Sequence, residues 1–293
     1  MKNIIYLILI SCFLSLTADS QTLNGNGNVI QKEIPLNAIS KISNLVSANI
    51  VITNSYSDKL ILEIDENLVN NFQYELNGND ISITSKKKGF SPTKFNLYFS
   101  VSKLNAIENK GSGDINTTNV IQSENFSLLN AGSGNCNIKV NSKNLNSKVT
   151  GSGNASIESD ADICNLEQHG SGSINLNNKN TNSNIQFENN GSGNSIIKSN
   201  SKNIELFLRG SGDVKIEGYS LNFTFHSLGS GDLDGQEFNT DNCDAKLSGS
   251  GDAEFYCNNS ADIQILGSGD LKLHGEYKIN KISTLGSGKL IKK

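Results

Sequence analysis

Ten copies of one tripeptide, Gly-Ser-Gly, are each followed directly by a side chain in the same position: Asp114, Asn135, Asn154, Ser173, Asn194, Asp213, Asp232, Asp252, Asp270 and Lys289. Most of these end in a carboxylate or carboxamide oxygen, and such an oxygen can accept a turn N–H. Stacked Asn amides can also form a ladder along an axis. Four consecutive members, Asp213, Asp232, Asp252 and Asp270, are acidic. If they stack at strand spacing, neighbouring carboxylates lie ~4.8 Å apart and repel by roughly 0.9 kcal/mol each even in bulk water. Either they point into solvent and bear that cost, or a cation such as calcium sits between them.

Calcium-binding nonapeptide repeats need a turn site about every nine residues, and the interval here is twice that. Solvated turn residues are therefore the main expectation for the column, with calcium as the alternative. No other metal and no cofactor is implied. Gly-Ser-Gly-Asp does not read as a phosphate loop, which occurs once and opens a helix. Other chemistry is sparse. Arg209 is the sole arginine, and His169, His226 and His274 fall in three different repeats with no metal-ligand spacing. A polysaccharide-acting enzyme, the alternative reading, would need clustered carboxylates or a Lys or Arg base at a local break in the repeat. Acids here are spread along the chain. No catalytic residues are assigned.

The elements that must position this column follow from its spacing. Gly-Ser-Gly begins at residues 111, 132, 151, 170, 191, 210, 229, 249, 267 and 286, a period of 18 to 21 residues. Sustained periodicity of this length marks a solenoid. Six residues before the first Gly stand Phe126, Leu145, Cys164, Ile185, Ile204, Phe223 and Cys243. Four before it stand Leu128, Leu166, Phe187, Leu206, Phe225, Ala245, Ile263 and Ile282, with Ser147 the exception. After the tripeptide, Ile115, Cys136, Ala155, Ile174, Val214, Leu233, Ala253 and Leu271 resume the alternation. A period of two, apolar then polar, means strands with one face buried. Nineteen residues holding two strands leave no room for a covering helix. The fold class predicted is all-β, a right-handed parallel β-helix of 19–20-residue coils, a rod on the order of 43 Å long for nine coils at ~4.8 Å rise. Glycine suits its corners because it tolerates φ > 0 and carries no Cβ to strike the next coil.

Residues 21–110 lack the tripeptide but stay strand-rich, with Asn77-Gly78 between two alternating runs as a hairpin signal. This section is expected either to cap the solenoid of residues 111–293 or to carry the binding site. Residues 1–20 read as a signal peptide: Lys2, an apolar run from Ile4 to Leu16, then Ala18 and Ser20. Leu9-Ile10-Ser11-Cys12 offers a second reading, a lipid anchor at Cys12. No later segment is apolar enough for a membrane helix. A net charge of -4 without a basic face argues against nucleic acid. Of the four remaining cysteines, Cys164 and Cys243 share a column four coils apart, beyond bridging distance. Both read, with Cys136, as small buried apolar residues, and Cys257 has no assigned place.

Taken in order, a Gly-x-Gly-x-Val start, "ANIVITNSYSDKLILEID", "KFNLYFSVSKLNAIENKGSGD" and the tandem GSGD/GSGN units resemble the head GIN domain family of putative auto-transporter adhesins, common in Bacteroidota. The resemblance covers the mature chain. It implies an exported β-helical protein of adhesin type without catalytic residues, located in the periplasm, on the outer membrane surface or outside the cell. The ligand is not named by the sequence, but the long, repetitive Asn/Ser/Thr-rich flank of such a rod suits a glycan or a surface protein. No translocator barrel is read in these residues, so the auto-transport part of that name is not among the expectations.

Overall fold

The computed structural model describes residues 22–87 and 89–293, so the expected leader and Cys12 lie outside the described residues. Strand accounts for 63% of the chain, stacked as a parallel solenoid of about ten turns. Among the described residues the single helical element is a 3-10 turn, Glu66–Asn71. Among the described residues no helix is long and apolar enough to cross a membrane.

Strands pair in parallel with their own equivalents one winding later. Leu145 faces Cys164, Cys164 faces Ile185, Ile185 faces Ile204, Ile204 faces Phe223 and Phe223 faces Cys243. Every member of that column is buried. The expected interior rows are thus present, in the expected register. Winding stacks on winding because each alone exposes its apolar edge. Ser147, the polar exception, is buried too, and its hydroxyl has no partner.

The corners explain the tripeptide. A methyl group on Gly132 would overlap the Gly111 carbonyl oxygen, and one on Gly134 the Gly113 carbonyl. The same overlap recurs at both glycines of every later corner. Here the expectation needs a correction. Positive φ among the described residues occurs only at Gly27, Gly78, Gly218 and Gly275, none of them in a Gly-Ser-Gly unit. Close approach alone demands glycine. Backbone hydrogen bonds then run from corner to corner, as from Ser133 N–H to Gly111 O at 3.1 Å and from Ser211 N–H to Gly191 O at 3.1 Å.

The section before residue 111 is built from β1 (Leu23–Asn24), β2 (Val29–Pro35), β3 (Lys41–Asn44), β4 (Asn49–Asn54), β5 (Lys59–Asp65), β6 (Phe72–Asn77), β7 (Asp80–Ser85), β8 (Phe90–Ser91) and β9 (Phe95–Val101). β10 (Ala106–Asn109) and β11 (Ile115–Thr117) follow. β3 pairs in parallel with β10, and β4 with β11. Parallel stacking therefore reaches back to Lys41, with Val46-Ser47-Ala48 at the corner where later windings place Gly-Ser-Gly. β7 and β9 lie on the far side of β3 and β4, also parallel. The axial order is thus the reverse of chain order at this end. β5 then lies antiparallel on β9, and β2 antiparallel on β5. The Asn77-Gly78 hairpin joins β6 and β7 as expected.

A corner that admits no Cβ predicts an asymmetric response to alanine. Gly210→Ala, facing the Gly191 carbonyl, should lower stability by about 3 kcal/mol or more. Ser211→Ala, one residue on and exposed, should stay within about 0.5 kcal/mol. Urea unfolding midpoints of the two variants check this.

Candidate functional site

The column after each tripeptide is a ladder between windings. Asp114 Oδ1 accepts the N–H of Asn135 at 2.7 Å, Asn135 Oδ1 that of Asn154 at 3.0 Å, and Asn154 Oδ1 that of Ser173 at 2.9 Å. It resumes from Asn194 to Asp213, Asp232, Asp252, Asp270 and Lys289 at 2.8–2.9 Å. The oxygen thus serves the next winding rather than its own turn, which is where the structure departs from the simplest turn reading. Asp and Asn are interchangeable here because both offer Oδ1. Serine at position 173 is too short, and no such bond joins it to Asn194. Gln168 and Ser195 act inside that corner instead. Gln168 Nε2 donates to Gly193 O at 2.6 Å, the Ser195 hydroxyl donates to Gln168 Oε1 at 2.7 Å, and Ile174 N–H donates to Ser195 Oγ at 3.0 Å.

Asp213, Asp232, Asp252 and Asp270 are brought together only as this column. Among the described residues no group of three or more His, Cys, Asp or Glu side chains is placed to hold a metal ion. The histidines stay apart. His169 and His274 meet Glu167 and Glu254 at 3.2 and 2.9 Å, and His226 packs edge-on to Phe207.

Sequence reasoning missed three sets of residues. The first is a row of buried amides two residues before the corners: Asn109 and Asn130 donate to Gly113 O and Gly134 O, both at 2.9 Å. Asn189 donates to Gly212 O at 3.2 Å. Val149, Leu208 and Leu247 fill the same column elsewhere and are buried apolar residues, while its Asn and Gln members point inward and brace a corner carbonyl.

The second is an ionic cluster beside a register slip between Lys215 and Glu217. Lys215 Nζ lies 3.0 Å from both Glu217 and Glu237, and Lys198 Nζ lies 2.7 Å from Glu217. An open groove of about 480 Å³ runs past Lys179, Lys198, Ser199, Glu217 and Glu237. This is the local break where acid–base chemistry would be sought. Hydrogen bonds from Lys198 and Lys215 hold Glu217 below the usual carboxylate range, and those to Glu217 and Glu237 raise Lys215. A general acid or base needs shifts in the other direction, so the cluster suits charge pairing better than proton transfer. A second open groove, about 680 Å³, lies where Phe90 and Leu45 flank the first corner serines, Ser112, Ser133 and Ser152.

The third is a polar knot at the antiparallel end. Burial opposes ionisation of Asp65, yet the Thr93 hydroxyl (2.7 Å), the Gly27 N–H (2.8 Å) and the Thr93 N–H (2.8 Å) hold its pKa low. A methyl on Gly25 would strike the same carboxylate, and Gly27 has a φ of 79°, so the two glycines of the early Gly-x-Gly are required for different reasons. Burial likewise opposes Glu63, but hydrogen bonds from Asn96, Gln31, Lys94 and Tyr98 bring it down to about 2. Burial pushes the Cys136 and Cys164 thiols up to about 12, so both behave as the apolar residues expected.

The model of the family described as "Putative auto-transporter adhesin, head GIN domain" matches residues 40–193 and again 163–276. The chain belongs to this family. The head GIN match starts at the β3 winding, and its two overlapping placements reflect the internal repeat. A putative adhesin from Parabacteroides merdae shares the fold, with TM-score 0.57 and 14% identity over 93% of this chain and 99% of that one. A putative adhesin from Parabacteroides distasonis gives 0.58 and 18% over 93% and 100%. A putative lipid binding protein from the same species gives 0.51 and 22% over 93% and 100%. No curated protein matches.

Two predictions follow from these contacts. Asp232→Asn keeps the oxygen that takes the Asp252 N–H and should leave stability unchanged or slightly raised at low salt. Asp232→Ala should cost about 1 kcal/mol, read by chemical denaturation. For Glu63, a folded pKa below the unfolded one means stability that is present above about pH 4.5 and lost as pH falls toward 2. Acid titration followed by tyrosine fluorescence should show that loss, and Glu63→Gln should flatten it.

Proposed function

We propose that this head GIN protein is an exported, non-enzymatic module of the cell envelope or cell surface that binds a glycan or a surface protein along the outer faces of its windings. The observation that carries this reading is the outward amide ladder. Asn203 donates to Asn184 Oδ1 at 2.6 Å, Asn222 to Asn203 at 2.8 Å, and Asn242 to Asn222 at 3.2 Å. Asn203 and Asn222 each spend one donor and one acceptor on their neighbours and keep the others for solvent or a partner, whereas Asn242 is further engaged by Leu221 O, Asn259 and Ser260. A fixed ~4.8 Å repeat of such groups suits an extended, polar, repetitive ligand. Family membership and the adhesin names of the structural neighbours support it.

The test is retention on a glycan and matrix-protein array by the purified chain. Saturable binding should fall at least about tenfold, on the order of 1.4 kcal/mol, in an Asn203→Ala/Asn222→Ala variant whose circular dichroism is unchanged. Reproducible shortening of any polysaccharide would contradict the non-enzymatic reading.

A further inference from the structure

Cys243 and Cys257 stand on consecutive windings, in the strands Leu233–Leu247 and Ala253–Ile265. The register between these strands slips twice. The first slip leaves residues 236–238 without partners in the later strand, and the second sets Asp241 against Asn258 and Asn259. As a result Cys243, opposite Ala261, and Cys257, opposite Thr240, turn inward on the two arms of one corner. Cys257 Sγ lies 3.2 Å from Ser260 O and 3.4 Å from Asp241 O, the latter only two residues before Cys243. The two thiols influence each other's ionisation, Cys243 being raised and Cys257 lowered by its neighbour. Both residues are buried, and all four described cysteines are free thiols. Cys136 and Cys164 have no such neighbour, since their cross-winding partners are Ile115 and Ala155, and Leu145 and Ile185.

We propose that Cys243 and Cys257 are a modification site, closed to a disulfide by thiol–disulfide exchange with a small-molecule or protein disulfide. The Cys257 thiolate attacks the oxidant's S–S bond and forms a mixed disulfide, releasing the oxidant's first thiol. Cys243 then gives up its proton to solvent and attacks the Cys257 sulfur, releasing the second thiol. Two protein thiols are oxidised and one external disulfide is reduced to two thiols, so the exchange balances. Cys257 is the first nucleophile, because its neighbour Cys243 lowers its pKa while Cys257 and burial raise that of Cys243. The bond would staple two windings where their ladder is least regular. That a cell supplies the oxidant rests on the exported reading above. The ability of the pair to close does not.

The purified full chain is incubated with a glutathione disulfide buffer, and thiols are counted after denaturation. The reactive thiol count should fall by two, and peptide mapping should recover one species joining Cys243 to Cys257. The thermal midpoint should rise by several degrees, and reductant should reverse it. Cys243→Ser and Cys257→Ser should each abolish the bond and the shift while keeping the strand spectrum. An unchanged count, or a bond that includes Cys136 or Cys164, would overturn the assignment. Both readouts are made on purified protein and do not depend on where the cell places it.

Discussion

Everything in this molecule depends on how closely one corner can lie on the next. A parallel winding must both continue its strands and turn them within a few residues. At the turn, the carbonyl of one corner occupies the space where a Cβ of the next would be. Glycine at both ends of the tripeptide removes that conflict, and the serine between points out to water. Once the corners touch, the hydrogen bonds between windings continue across them. The strands on either side then have a single register, because a shift by one residue would bring every polar face inward.

The interior follows from that register. Its rows are aliphatic along most of the rod and aromatic where the ladder slips. Gly235 leaves room for the Phe255 side chain, and Phe238 turns in to meet Phe223 at 4.9 Å. Phe255 packs on Phe223 at 5.2 Å. Extra residues in one strand are thus absorbed by larger side chains rather than by a void, as close packing requires. Polar atoms near the corners are braced in the same economical way, inside by buried amides and outside by the Asp/Asn column. The four adjacent carboxylates of that column are explained by the backbone donors they serve.

Much of the architecture was legible in the sequence because the period is short and its columns are clean. Phe126, Leu145, Ile185, Ile204 and Phe223 could be aligned by counting alone, and they are neighbours in space. What could not be read is what breaks the count. Val46-Ser47-Ala48 forms a corner without the tripeptide, and its winding lies inside one that comes later in the chain. Nothing local encodes that reversal. The neighbours of Cys257 were equally hidden, because two slips between the strands destroy the simple offset there. The Lys198–Glu217–Lys215–Glu237 cluster depends on a third slip. Along the Asp/Asn column the residue types were plain but the direction of the bonds was not, since a side-chain oxygen reaches its own turn and the next winding equally well.

The outer faces are left with repeated amides, hydroxyls and paired charges, while the strongly shifted acids and Lys215 are held in their ionised forms. Such a surface suits the extended contact proposed above. The central claim remains the corner itself, and backbone amide exchange at single-residue resolution tests it most directly. The N–H groups of Asn135, Asp232, Asp252 and Asp270 should exchange as slowly as those of the strands beside them. Fast exchange at these four while the flanking strands stay protected would show that the corners do not stack, and would contradict the account.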